Sequence, residues 1–296
     1  MYKLASWVQA EKLTDRLSRN PRSVKYLEEN PDKIDWFHHS ANPEAMEMLT
    51  KNQEKIYWCW LSYNPSALTL LEKNIDKINW LWLSSNPCAI PLLKKHPDRI
   101  NWLYLSQNPA AIELLEANPD KINWFCLSLN PEAIHLLEAN PDKIIWNNLC
   151  RNPKAIHILE KNPDKIDWFH LSSNPGALKL LEANPEKIIW VELCKNPSAL
   201  PLFAKYPEKI IWSYVCEMSV AIDFLEANSH NINWVYLSSN PAAIHLLKQN
   251  LDKISWDFLS QNPAIFEYDY EAMKRPFTEE LIATVYHPDN YKRLIA

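Results

Sequence analysis

Twelve small residues able to act as nucleophiles stand in one column of this chain, each 22 positions from the next: Ser18, Ser40, Ser62, Ser84, Ser106, Ser128, Cys150, Ser172, Cys194, Cys216, Ser238 and Ser260. A serine or thiol nucleophile needs a base within hydrogen-bond reach and a group that orients the base. No His recurs in a register that would supply either. Nine serines exchange with three cysteines, so the expected requirement at this site is small volume rather than a hydroxyl, and a catalytic row is not expected. His135, His157 and His245 share another column. Neighbours there stand one helix-pair spacing apart, too far for one ion with bonds of about 2 Å, so they read as exposed polar residues, and neither a metal nor any other cofactor is expected.

The six cysteines form no CxxC pair and no zinc-knuckle or compact disulfide spacing, and so read as free thiols of a reducing compartment. Gly176 is the only glycine among 296 residues. Phosphate-cradling loops, dinucleotide fingerprints and nucleophile elbows all require several. No enzyme is expected. With 47% hydrophobic and 23% charged residues the chain is globular, and its net charge of -5 offers no general attraction to nucleic acid or anionic lipid. No apolar run approaches a membrane span and the N-terminus lacks a secretory pattern, so a cytoplasmic location is expected.

The nucleophile column belongs to a repeat. Asn-Pro recurs at Asn20, Asn42, Asn64, Asn86, Asn108, Asn130, Asn152, Asn174, Asn196, Asn240 and Asn262, failing once at Met218-Ser219. Trp keeps the same beat at Trp36, Trp58, Trp80, Trp102, Trp124, Trp146, Trp168, Trp190, Trp212, Trp234 and Trp256. With the first Asn as position 0, the unit reads N-P-x-A-[IL]-x-L-L-E-x-N-P-D-K-I-x-W-x-x-L-S-x, with Trp at position 16 and the Ser/Cys column at position 20.

Both halves carry apolar residues at helical spacing, and both open on Asn as N-cap with Pro at the first helical position. Two helices of about nine residues are expected per unit, for example Pro109 to Ala117 and Pro119 to Ser128. Helices this short need neighbours. The second carries two apolar faces, one with Trp124 and Leu127, the other with Ile122, Phe125 and Cys126, so a layer is expected on each side. The fold expected is an all-α solenoid, a superhelix of about twelve two-helix repeats over 20–263, with degenerate caps at 1–19 and 264–296. Twelve layers ~9 Å apart would make a rod on the order of 100 Å. A last helix starting near Thr278 would cover the final repeat.

The run LSxNPxAIxLLExNPDKIxW, with the segment EELIATVYHPDN, resembles tandem-repeat proteins that giant DNA viruses encode in many copies. The likeness covers essentially the whole chain. It implies no catalytic residue, and it implies host-cell cytoplasm or a virion as location. The Asn-Pro punctuation is more loosely similar to the leucine-rich repeat variant, which implies that the second helix is partly 3-10. The Trp column has no counterpart in that family, and the iron-sulfur segment found beside one of its members has no matching cysteine cluster in this chain.

The repeat tryptophan reads as a core anchor rather than a stacking ladder for bases, because it shares its face with the leucine of position 19 and the small column. Position 13 is Lys or Arg in ten of eleven units and follows an acid in the same ten, a solvated charged stripe. Position 18 varies in chemistry and is rich in aromatics: His38, Trp60, Trp82, Tyr104, Cys126, Asn148, His170, Glu192, Tyr214, Tyr236 and Phe258. Trp60, Trp82, Tyr104, His170, Tyr214, Tyr236 and Phe258 are the candidate protein-binding residues, with packing between layers as the competing account. The function expected is a protein-protein interaction scaffold with specificity in columns 18, 5 and 2. A structural spacer or tape in a large assembly stands second, a nucleic-acid-binding repeat third, and self-association remains open.

Overall fold

The computed structural model describes residues 2–274. The fold is an all-α repeat, and in every layer except the one at the chain junction each half splits into a 3-10 or other turn followed by a short α-helix rather than forming one nine-residue helix. In the layer that starts at Asn108, Pro109–Ala111 is 3-10 and Ile112–Glu116 is α, then Pro119–Lys121 is 3-10 and Trp124–Leu127 is α. The 3-10 geometry implied for the second half therefore appears in both.

The two Asn-Pro pairs do different work. Asn108 is extended (φ -73°, ψ 117°), as a residue before Pro prefers, and its Oδ1 accepts the Ala110 N–H at 3.0 Å. Asn118 does not cap the turn that follows it. Its amide instead donates back to the Leu114 carbonyl at 2.9 Å, closing the preceding helix. Position 15 takes over as N-cap of the Trp helix: Asn123 is extended (φ -89°, ψ 102°) and its Oδ1 accepts the Cys126 N–H at 3.0 Å. That extended residue is what breaks the expected second helix.

Ala at position 3, Leu at position 7, Leu at position 19 and Ser or Cys at position 20 are fully buried, as in Ala111, Leu115, Leu127 and Ser128. They form one continuous core from layer to layer. Two polar ladders run through it. The position 0 amide donates to the carbonyl of the preceding position 0 at 2.9–3.2 Å, as Asn130 does to Asn108. The position 20 side chain accepts the N–H of position 15 one layer on, as Ser106 Oγ does from Asn123 at 2.9 Å.

The row is not a rod. The amide of Asn20 donates to the carbonyl of Asn262 at 2.9 Å, Thr14 N–H donates to Ser260 Oγ at 2.9 Å, and Arg16 pairs with Asp257 at 3.0 Å. Strand β1 (Tyr2–Leu4) runs antiparallel to β2 (Phe266–Tyr268) across the same junction. The Asn and Ser bonds repeat the internal pattern, so twelve layers close into a ring. Residues 2–19, expected to cap a free end, complete the junction with the last layer instead. The helix expected near Thr278 lies outside the described residues.

The closest approaches between layers run along the Trp helices and the Asn-Pro turns, while the Leu-Leu-Glu helices of neighbouring layers stand further apart. That fan is what closure demands: the Trp helices lie at the inner radius, the Leu-Leu-Glu helices at the outer.

Candidate interaction surface

The eleven repeat tryptophans are half-buried and packed on the core. In many layers the outer face is roofed by the position 13 lysine of the next layer: Lys55 over Trp36 at 4.9 Å, Lys77 over Trp58 at 4.7 Å, and likewise Lys121, Lys143, Lys187 and Lys253. Lys12 over Trp256 at 5.2 Å repeats this at the junction. The charged stripe is thus a row of cation-π contacts, each worth about 0.5–1 kcal/mol at an exposed site. The roofed ring faces are not free to stack on bases.

Position 18 forms a second column between layers. Trp60 stacks on Trp82 with centroids 5.8 Å apart, Trp82 meets Tyr104 at 6.1 Å, and Tyr236 meets Phe258 at 5.7 Å. Cys126 and Asn148 are buried, and His170 is held by Asp167 at 2.9 Å. His38 bonds both Asp35 and Arg19. Tyr214, with Lys195 over its ring at 5.6 Å, and Tyr236 are the more exposed members. The structure therefore places the seven candidate residues in one column around the ring, with most of their area given to neighbouring layers.

The column that sequence reasoning missed is position 17. Phe125 is 59% exposed, Phe169 46%, Val235 45% and Leu103 44%, with Val191 and Phe37 close behind. Their helix carries the core on positions 19 and 20, so 17 and 18 point away from it, toward the ring's inner side. The second apolar face was expected to meet another layer; at position 17 it meets solvent. Twelve of the eighteen large exposed hydrophobics among the described residues sit at positions 15, 17 and 18. The signal was present in the sequence as Phe, Leu and Val about 100° from the core direction.

The remaining columns are accounted for. His135, His157 and His245 are exposed and meet Glu116, Glu138 and Glu226 of the preceding layer at 2.5–2.9 Å. No metal-binding group of three or more His, Cys, Asp or Glu occurs among the described residues. Small volume alone does not explain position 20, because all twelve side chains accept an N–H across layers, with sulfur doing so at 3.2–3.3 Å for Cys150, Cys194 and Cys216. Burial pushes those three thiols up from their ordinary pKa, away from nucleophilic character. At the missing Asn, Met218 offers no amide to Asn196, yet its own carbonyl still accepts from Asn240 at 3.1 Å.

Among the described residues no helix is long and apolar enough to cross a membrane. No family model, curated protein or solved structure matches the chain.

Proposed function

We propose that the chain is a non-enzymatic protein-interaction scaffold whose binding surface is the inner belt of the ring. The observation that carries this reading is the gathering of exposed Phe, Leu, Ile, Val and Tyr on three positions, one just before and two within the Trp helix, in most layers. Apolar surface left contiguous in a folded protein marks a partner site. A tape-like spacer asks for free ends, whereas here the ends are joined, which favours the interaction reading. Nucleic acid is disfavoured because Trp faces are roofed by lysine and the Arg16 and Lys195 cations beside the belt are paired with carboxylates. The test is a double Phe125→Ser, Phe169→Ser variant. It is expected to melt where the parent does and to lose the partner that the parent retains, while His135→Ala, His157→Ala on the outer face keeps it. A belt variant that binds as well as the parent contradicts the reading.

A further inference from the structure

Resting on that reading, we infer that the partner is a single, uncharged, apolar α-helix threaded through the ring. The size follows from the layer spacing. Three neighbouring pairs of position 18 rings stand 5.7–6.1 Å apart, which sets the scale of one layer step. Twelve such steps close a circle roughly 22 Å across, and ring thickness on both sides leaves about 15 Å. An α-helix with its side chains is about 10–12 Å wide. An extended strand would touch only part of such a wall and a helix pair would not enter.

The lining is apolar nearly all the way round. Positions 17 and 18 together present at least one apolar side chain in every layer except those of Asn147-Asn148 and of Asp15-Arg16. Several charged groups beside the belt are satisfied from within: Arg16 by Asp257, Lys195 by Glu192, His170 by Asp167; Asp15, Arg151 and Glu217 are the exposed charges that remain. With an apolar side chain in ten of twelve layers and few unpaired charges of mixed sign, the belt favours an uncharged occupant, and a helix that is apolar all round needs burial on every side. Closure adds a topological condition, because an occupant must enter by a free end unless the Asn20–Asn262 junction opens.

The experiment uses two probes and the full chain. The first is a fluorescent 24-residue Ala/Leu helix with paired lysines at each end; the second carries the same helix between two folded domains too wide for the lumen. Fluorescence anisotropy is expected to show saturable binding of the free-ended probe, at least tenfold weaker in Phe125→Asp, Phe169→Asp. Both positions are exposed, and unchanged circular dichroism confirms that the variant folds. The blocked probe is expected to bind at least a hundredfold more slowly. Equal binding of both probes, lost in the Phe variant, overturns threading while leaving the inner belt as an interaction surface. Absence of binding by the free-ended probe overturns the helix as occupant, and the belt's own role is then judged by the Phe→Ser variant's partner retention.

Discussion

The side-chain amide of Asn20 reaches the backbone carbonyl of Asn262 at 2.9 Å, across 242 residues of chain, in the bond that Asn64 makes to Asn42 at 3.0 Å across 22. One buried hydrogen bond thus serves both as repeat-to-repeat glue and as ring closure. Each ladder Asn also accepts the N–H two residues on, as Asn20 does from Arg22 at 3.0 Å.

The ladder should be sensitive at every rung and improvable at one. Asn108→Ala removes two donated bonds and one accepted bond from a buried site, and should lower unfolding free energy by about 2–4 kcal/mol in urea melts. Met218→Asn should raise it by about 1 kcal/mol, because the carbonyls of Cys194 and Asn196 stand where other layers receive an amide. A neutral or destabilising Met218→Asn would show that this layer is packed for methionine.

Position 20 should discriminate by chemistry rather than size. Ser106 Oγ accepts from Asn123 and donates to the Trp102 carbonyl at 2.7 Å. Ser106→Cys is expected to cost under ~1 kcal/mol and Ser106→Ala about 1–3 kcal/mol, because alanine leaves a buried N–H without an acceptor. Equal costs in thermal melts would restore the volume-only explanation.

The lysine roof should be a small, additive term. Lys143→Ala should lower stability by about 0.5–1 kcal/mol, and Lys143→Arg, which keeps a cation over Trp124, should lose less. An alanine variant indistinguishable from the parent by Tm would remove the roof from the account.

His39 should make stability depend on pH. It occupies a position that is Leu in nearly every other layer, is fully buried, and neither ring nitrogen has a hydrogen-bond partner. Burial lowers its pKa from 6.5 to about 4. Between those values the unfolded chain binds the proton that the folded chain refuses, so stability falls as pH drops from 6.5 toward 4, by up to about 3 kcal/mol. His39→Leu should stabilise the protein at neutral pH and flatten that slope, measured as urea midpoints at about pH 4.5 and 7.5. An unchanged slope would assign the dependence to other groups.

Much of this was legible before any coordinates. Period, unit boundaries and the core columns follow from the strict recurrence of Asn-Pro, Leu and Trp. The split of each half was hidden because position 15, Asn123 in one layer and Ile145 in another, looks like any helix residue; only its bond to the preceding layer's Ser or Cys holds it extended. Closure was hidden for a different reason. It needs about 30° of turn per layer, a small rotation set by the difference in packing between inner and outer helices, and no single residue encodes it. The clues were Leu17-Ser18 and Asn20, which keep interface chemistry that a mere cap would not need. The belt was misjudged by one position because aromatics drew attention to position 18, whose rings largely cover one another, and away from the plainer Phe and Leu at position 17.

The central claim is that the first and last layers are neighbours, and one distance tests it. Spin labels on Glu11→Cys and Lys253→Cys, with Cys59 and Cys88 replaced by Ser, should give a single narrow separation below about 25 Å in pulsed dipolar measurements, since Lys12 lies 5.2 Å from the Trp256 ring. An open row of twelve layers would place the same labels on the order of 100 Å apart, and a long or broad distribution would contradict the closed ring.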